Sequence, residues 1–223
     1  MSQPTSHKDY DEIEYPSSDG EPLAETDAHV EELLALRQAL SWRYHDDPNV
    51  YVAGNNFIYY EENNPKKVFS PDVYVVKGVP KKRRRVFRLW EEGRAPCFVI
   101  EMSSCKTWLE DIGNKKALCA FLGVREYFLY DPEGDVVKPP LQGFRLAGAE
   151  YHRIPARRDG AVESKELEVI FWLDDELRLH ATDVETGKAV LRPHEVYQAH
   201  EEAEHALAEA EREIARLRAE LKR

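Results

Sequence analysis

Two acidic residues flank apolar runs that have the length of buried β-strands. Asp72 comes directly before Val73–Val76, and Glu101 directly follows Cys97–Ile100. A carboxylate at the end of a buried strand is costly unless it has a partner, so each acid constrains where its strand can lie. Two carboxylates on neighbouring strands can hold a hard divalent cation such as Mg²⁺, with Mn²⁺ as a substitute, because such ions prefer oxygen ligands. We therefore expect Asp72 and Glu101 to lie close enough to share one cation.

A lysine on the following segment is the third member of this pattern. Lys115 comes four residues after Asp111, so both lie on one face of the helix predicted over residues 109–122. Such a lysine can orient a water molecule or stabilise a developing oxyanion. Lys116 is the rival, but it lies about 100° further around the helix, so both lysines cannot face one metal. The spacing favours Lys115, and the pattern predicts a metal-dependent phosphodiesterase site.

Each fragment also has an ordinary structural explanation. Pro71-Asp72 is a common turn pair, and Glu101 could form a salt bridge or a backbone cap. Asp111 and Lys115 could be an exposed ion pair worth only ~0.3–0.5 kcal/mol. The order and spacing of the fragments favour the site over these alternatives.

Composition limits the class of protein. A chain of 223 residues predicts one domain with appendages. No apolar run approaches the ~18 residues that a membrane helix needs, and there is no basic-then-apolar leader. Three cysteines without a CxxC pair favour a reducing cytoplasm and argue against both disulfides and a cysteine zinc site. We expect a cytoplasmic protein that does not enter a membrane.

The charge is unevenly distributed along the chain. The formal net charge of −11 argues at first against nucleic acid. Residues 1–29 hold eight acids and one lysine, whereas residues 77–94 hold eight lysines and arginines against two glutamates. The loop between the two acid-bearing strands is therefore basic, and it is either a solvated loop or a surface that contacts DNA backbone phosphates. Its candidate phosphate-binding residues are Lys81, Lys82, Arg83, Arg84, Arg85 and Arg88.

The chain divides into three parts. Residues 1–25 are acidic, without apolar periodicity, and are predicted to be a disordered tail. Residues 26–192 form the predicted domain, in which a helix capped by Thr26 or Asp27 precedes several strands, a second helix that stops at Gly123, and further strands. This order predicts an α/β or α+β core with a mixed sheet. Residues 193–223 carry a heptad seam and are predicted to be a C-terminal coiled coil.

The motifs SPDVYVV, FVIEMSS, DIGNKK and GVREYFLYDP resemble the Uma-two-type family of restriction endonucleases, within the PD-(D/E)xK nuclease superfamily. The resemblance covers roughly residues 25–192. It implies a restriction-endonuclease-like mixed sheet flanked by helices, with the site at one edge. It also implies that Asp72 and Glu101 are metal ligands and that the backbone carbonyl of Met102 completes the metal shell.

One departure from the superfamily concerns the lysine. Many relatives carry it two residues past the second acid, where this chain has Ser103. The resemblance implies that the lysine has moved to the next helix, at Lys115. From the residues themselves we expect Asp111 to hold Lys115 by a hydrogen bond and Ser103 to form hydrogen bonds at the site. It also implies a further ligand from the first helix, for which Glu31 and Glu32 are both candidates.

The leading hypothesis is a Mg²⁺-dependent endonuclease that hydrolyses DNA phosphodiester bonds and forms a homodimer partly through its C-terminal helix. The first alternative is a nucleic-acid-binding protein that kept the fold and lost the reaction, which Ser103 favours. The second is a scaffold protein built on the coiled coil. The sequence leaves open the recognition sequence, the choice of DNA or RNA, and the biological role.

Overall fold

The first helix packs a mixed stripe of side chains onto the sheet. The computed structural model describes residues 13–18, 20 and 26–221. Helix α1 spans Asp27–Arg43, and Thr26 caps it by accepting a hydrogen bond from the backbone N–H of His29 at 3.3 Å. The spacing of Val30, Leu33, Leu34, Leu36 and Leu40 predicts one apolar face, but this is wrong in part, because Val30 and Leu34 are exposed. The buried stripe instead includes His29, Glu32, Leu33, Leu36 and Leu40.

A six-stranded mixed sheet forms the centre of the fold, as the sequence predicted. Its order is β1-β4-β6-β7-β8-β9, in which β6 and β7 are parallel and the other neighbours are antiparallel. The strands are β1 Val50–Ala53, β4 Val73–Lys77, β6 Phe98–Met102, β7 Glu126–Tyr130, β8 Leu141–Ala147 and β9 Glu150–Arg153. A three-stranded sheet of β2 Ile58–Tyr59, β3 Val68–Phe69 and β5 Phe87–Arg88 accompanies it, and the short helix α2 Leu89–Glu92 follows β5.

A second, four-stranded sheet covers one side of the core. Its antiparallel strands are β10 Val162–Ser164, β11 Val169–Leu173, β12 Leu179–Asp183 and β13 Ala189–Val190. Phe171 of this sheet packs against Phe98 and Phe128 of the central sheet, with ring centroids 5.7 and 5.5 Å away. Leu36 and Leu40 of α1 belong to the same buried cluster. Helix α1, the central sheet and the second sheet therefore share one buried cluster, while a separate cluster, which includes Tyr74 and Phe87, joins the central sheet to the three-stranded sheet.

The helix predicted over residues 109–122 is present with an interruption. Helix α3 Trp108–Glu110 passes into a π-helical turn, Asp111–Lys115, and continues as α4 Lys116–Phe121. We call residues 108–121 the site helix. Gly123 follows it with a φ of +78°, the left-handed conformation that the sequence predicted for a glycine stop.

The two ends of the chain differ in what they contact. The predicted tail, residues 1–25, lies largely outside the described residues and stays a prediction there. In the described segment 13–18, the Tyr15 hydroxyl accepts a hydrogen bond from the backbone N–H of Asn63 at 2.8 Å, and Tyr59 donates to the Pro16 carbonyl at 2.6 Å. Helix α5 spans Pro193–Glu220, and its side chains from Tyr197 onward are almost all exposed. Among the described residues, none of the helices has both the length and the apolar character needed to cross a bilayer.

The exposed seam of α5 supports a prediction about assembly. Leu207, Ile214 and Leu217 lie on the heptad seam and are exposed, so pairing with a second copy would bury them. We expect a concentration-dependent dimer, weakened by the alanines on the seam, and we expect Ile214→Glu to dissociate it. Light scattering over a range of concentrations measures this, with Ala215→Glu, one residue off the seam, as the matched control. Equal masses for all three proteins at every concentration would contradict the prediction.

Candidate active site

Strand register brings the two predicted acids opposite each other. In the antiparallel pair of β4 and β6, Val73 faces Ile100 and Tyr74 faces Val99. Extending this register by one residue places Asp72 opposite Glu101, where side chains have Cβ atoms roughly 4.5–5.5 Å apart. The backbone N–H of Asp72 donates to Glu101 Oε2 at 3.3 Å, and the N–H of Met102 donates to Asp72 Oδ2 at 2.7 Å.

A glycine on the neighbouring connection allows this arrangement. Gly54 follows β1, and a Cβ added there would lie only 2.1 Å from the carbonyl oxygen of Asp72. The next residue, Asn55, donates its backbone N–H to the Pro71 carbonyl at 2.9 Å. The segment that carries Asp72 is therefore held by close backbone contact with the β1–β2 connection.

Glu101 is fully buried, and its two oxygens have different surroundings. Oε2 lies 3.0 Å from the Lys115 ammonium. Oε1 is buried and has no hydrogen-bond partner among the described residues. Burial raises the pKa of Glu101 well above its usual value, and nearby Asp72 and Asp111 add to this, while the positive charge of Lys115 opposes it. The unpartnered oxygen is a ligand position that a cation would satisfy.

The structure distinguishes the two candidate lysines. Lys115 Nζ lies 3.0 Å from Glu101 Oε2 and 3.0 Å from Asp111 Oδ1, whereas Lys116 Nζ lies 3.2 Å from the centre of the Phe144 ring. Burial lowers the pKa of Lys115, but the charges of its carboxylate neighbours outweigh this effect, so the pKa is raised and the amine stays protonated. Burial lowers the pKa of Lys116. Of these two lysines, only Lys115 contacts the carboxylates of Glu101 and Asp111.

A buried hydrogen-bond chain holds Asp111 in the π-helical turn. The Ser103 hydroxyl donates to Asp111 Oδ2 at 3.1 Å, and the Tyr127 hydroxyl donates to the Asp111 carbonyl at 2.7 Å. Turns of this kind widen a helix locally and are frequent at functional sites. Ser103 thus contacts the acid that pairs with Lys115.

The donor set fits a magnesium ion better than a zinc ion. Asp72 and Glu101 offer carboxylate oxygens, and Met102 is the next residue along β6. In the part of the chain that the structure describes, no group of three or more His, Cys, Asp or Glu side chains is arranged to hold a metal. Mg²⁺ commonly binds through only one or two carboxylates and keeps several waters, so a pair of acids is compatible with it.

The first helix brings a histidine to the site instead of a third acid. Glu31 is exposed, and Glu32 is buried in an ion pair with Arg192 at 2.5 Å, so neither glutamate faces Asp72. His29 Nε2 lies 3.7 Å from Asp72 Oδ1. The expected ligand from Glu31 or Glu32 is therefore not supported. His29 was missed, although its spacing to Leu33, four residues on, places it on the buried stripe.

The basic loop lies at the other end of β4 from Asp72. Lys77 ends this strand five residues after Asp72, which is about 16 Å at ~3.3 Å per residue, and the loop begins beyond it. The Arg84 side chain is only 4% exposed and pairs with Glu92 at 2.7 Å, so it stabilises the loop and does not face solvent as a phosphate contact would. The Lys81 ammonium binds the Tyr44 and His45 carbonyls at the end of α1.

The other four basic residues have more open surroundings. Arg85 and Arg88 lie near the N-terminal segment, where Arg85 contacts Ser17 at 3.4 Å and Arg88 lies over the Tyr15 ring at 4.6 Å. Lys82 and Arg83 are exposed. Arg88 also pairs with Glu91 at 2.7 Å, so Lys82, Arg83 and Arg85 are the more open of the predicted phosphate contacts.

Comparison with known proteins identifies the family. The family model Uma2, described as "Putative restriction endonuclease", matches residues 5–176. The chain belongs to the Uma2 family. A solved structure described as a putative nuclease belonging to DUF820 from Anabaena variabilis ATCC 29413 is similar at 14% identity and a TM-score of 0.49, covering 66% of this chain and 76% of that one. No curated protein matches the chain.

Membership of this Uma2 family agrees with the resemblance drawn from the four motifs. The matched residues begin upstream of residue 25, where the resemblance was placed, and end before β12. They include Asp72, Glu101, Asp111 and Lys115. Helix α5 lies outside the match.

A stability prediction follows from the burial of Glu101. An acid whose pKa is raised by folding favours the native state below its unfolded pKa, and this contribution is lost as the pH rises. Without metal, the free energy of unfolding should therefore fall between about pH 4.5 and pH 8, and Glu101→Gln should reduce this fall. Urea unfolding in EDTA at both pH values measures it. A variant whose free energy of unfolding falls between these two pH values by as much as that of the parent would contradict the prediction.

Proposed function

We propose that this Uma2-family protein is a Mg²⁺-dependent endonuclease that hydrolyses DNA phosphodiester bonds and leaves a 5′-phosphate. The observation that carries the proposal is the meeting of Asp72, Glu101 and Lys115 at one end of the β4–β6 pair. Two acids and a protonated lysine suit phosphoryl transfer because the reaction develops negative charge on the phosphoryl oxygens.

Each residue has a distinct task in the proposed reaction. Asp72 and Glu101, with the Met102 carbonyl, would hold Mg²⁺, which supplies Lewis-acid activation of the phosphoryl group when bound. Lys115 donates hydrogen bonds either to the attacking water or to the phosphoryl oxygens as their charge grows. Asp111 orients the lysine through the 3.0 Å ion pair and is itself fixed by Ser103. His29 lies beside Asp72, with Nε2 3.7 Å from Oδ1.

The deciding experiment combines cleavage with metal binding. Purified protein is incubated with plasmid DNA and with single-stranded circular DNA in Mg²⁺, Mn²⁺ or EDTA, and Mn²⁺ binding is measured separately by calorimetry. We expect cleavage in either metal and none in EDTA, with binding lost in Asp72→Asn. Metal binding without cleavage of DNA would favour the non-catalytic alternative, which Ser103 at the usual lysine position suggests. Absence of both would overturn the proposal.

The two adjacent lysines offer an internal control for the proposed chemistry. Lys115→Ala should lower turnover by about a hundredfold or more, the cost of losing one charge-stabilising donor, while metal affinity changes little. Lys116→Ala should keep most of its turnover, because this lysine contacts Phe144 instead of the acids. Single-turnover cleavage measures both variants. The opposite result, an active Lys115→Ala and an inactive Lys116→Ala, would move the catalytic role by one residue.

A further inference from the structure

A groove next to the basic loop combines positive charge with an exposed aromatic ring. The end of α1 and the loop enclose about 720 Å³. The groove is lined by Arg37, Ser41, Trp42, His45, Tyr51, Val52, Lys81, Lys82, Arg83 and Arg84, a set that contains no aspartate or glutamate. This positive surface lies on a chain whose formal net charge is −11, so it is a local exception to the charge of the protein.

Two of the cations fix the shape of the groove. Lys81 binds the last carbonyls of α1, and Arg84 lies 4.3 Å from the centre of the Tyr51 ring while pairing with Glu92. The loop is thereby attached to both α1 and β1. The groove is preformed, which lowers the ordering cost of binding a ligand there.

The remaining cations face solvent. Arg37 and Arg83 are exposed and form no ion pair within the residues that the structure describes. Lys82 is 60% exposed and lies 3.4 Å from Glu92, whose charge is shared with Arg84. His45 is paired with Asp46 at 2.9 Å and is left out of the proposed contacts. Three cations are therefore available for anionic groups.

Trp42 supplies the second element of recognition. Its side chain is 51% exposed between the cationic residues. An exposed indole beside arginines and lysines is the combination that binds single-stranded nucleic acid, because the ring stacks on an unpaired base while the cations contact the backbone. A base within a duplex is stacked on its neighbours and cannot present its face to Trp42.

We propose that this groove binds an unpaired nucleotide segment of the DNA substrate, with a base stacked on Trp42 and phosphates on Arg37, Lys82 and Arg83. The inference rests on the proposed function, that the substrate is DNA, and it makes that substrate at least partly single-stranded. Trp42 lies 13 residues after His29 along α1, about 20 Å at ~1.5 Å per residue, so the groove engages nucleotides away from the bond that is cut.

The test measures binding separately from cleavage. The full chain with Asp72→Asn, which should not cleave, is titrated with fluorescent oligothymidylate of about 12 nucleotides and with a duplex of the same length. We expect the single strand to bind more tightly. Adding Trp42→Ala should weaken single-strand binding by about tenfold, and Trp42→Phe should restore most of it. The control Trp172→Ala, on β11, should have no effect.

The charged half of the groove is tested by salt dependence. Replacing Arg37 and Arg83 by glutamine should reduce the slope of log affinity against log salt by about 1.4 for a single strand, at ~0.7 for each lost phosphate contact. The paired control is Arg157→Gln with Arg158→Gln, on the loop before β10. An unchanged slope would overturn the charged contacts.

Four results would overturn the inference. The first is binding of the duplex that is as tight as binding of the single strand, and the second is equal binding of Trp42→Ala and its parent. The third, if the alanine variant fails to fold, is equal binding of Trp42→Leu and Trp42→Phe. The fourth is no binding of either probe at concentrations on the order of 100 µM. If the wild type cleaves DNA but the groove variants bind as tightly as the parent, the groove is rejected and the proposed function is kept. If binding depends on the groove but the wild type does not cleave DNA, the proposed function is rejected and the groove is kept.

Discussion

Asp72→Asn and Glu101→Gln are each expected to lower DNA cleavage by at least about a hundredfold while leaving the protein folded. Both amides keep the shape of the side chain they replace but remove the charge that would hold the cation. Asparagine at position 72 can still accept the hydrogen bond that Met102 donates at 2.7 Å, so the strand ends stay together. The measurement is the initial rate of cleavage in Mg²⁺, with thermal unfolding as the check on folding.

A matched acid elsewhere separates a site effect from a general loss of negative charge. Asp175 is exposed on the turn between β11 and β12, so Asp175→Asn should cleave at the parent rate. Mn²⁺ gives a second readout, because a ligand that binds only the folded state raises the unfolding temperature. This rise should occur in the parent and in Asp175→Asn and vanish in Asp72→Asn. Full activity in either site variant would refute the assignment of that acid.

The second large effect concerns stability. Replacing Glu32 by glutamine should destabilise the protein by about 3–5 kcal/mol, because it leaves the charge of Arg192 buried without its partner. The Glu32 and Arg192 side chains are 6% and 3% exposed, and Glu32 Oε2 also accepts the backbone N–H of Leu179 at 2.9 Å. The pair therefore joins α1 to the second sheet and to the start of α5. Urea unfolding measures the change.

Two comparisons make the stability prediction specific. Glu163→Gln breaks the exposed ion pair with Arg157 and should cost less than about 1 kcal/mol. The double variant Glu32→Gln with Arg192→Met should cost less than the sum of its single changes, since removing both charges leaves neither unpaired. A Glu32→Gln protein within 1 kcal/mol of the parent would mean that the buried arginine finds another partner.

The elements and the main acids could be predicted because their signals are local. Apolar runs of strand length, a threonine cap and a glycine stop determine β4, β6, the start of α1 and the end of the site helix. Asp72 and Glu101 end such runs, so their positions followed from the strands. The choice of Lys115 over Lys116 followed from the four-residue spacing between Asp111 and Lys115. These two side chains form an ion pair at 3.0 Å, as that spacing predicts.

Other features depend on contacts that no local pattern contains. Glu31 and Glu32 are adjacent glutamates, so the local sequence does not distinguish them. Glu32 is buried in an ion pair because Arg192, which lies 160 residues later in the chain, packs against it. Arg84 looked like its basic neighbours, but Glu92 and Tyr51 bury it. The π-helical turn also escaped prediction, because the Asp111 carbonyl that accepts from Tyr127 is fixed by a distant strand.

The close approach at Gly54 makes part of the candidate site sensitive to a residue that has no functional group. Any side chain there would meet the Asp72 carbonyl at 2.1 Å, so either the β1–β2 connection or Asp72 would have to move. A screen of random variants for lost cleavage should therefore recover Gly54 together with Asp72. Residues of this kind mark the backbone that an active site needs, and a search restricted to chemically reactive side chains overlooks them.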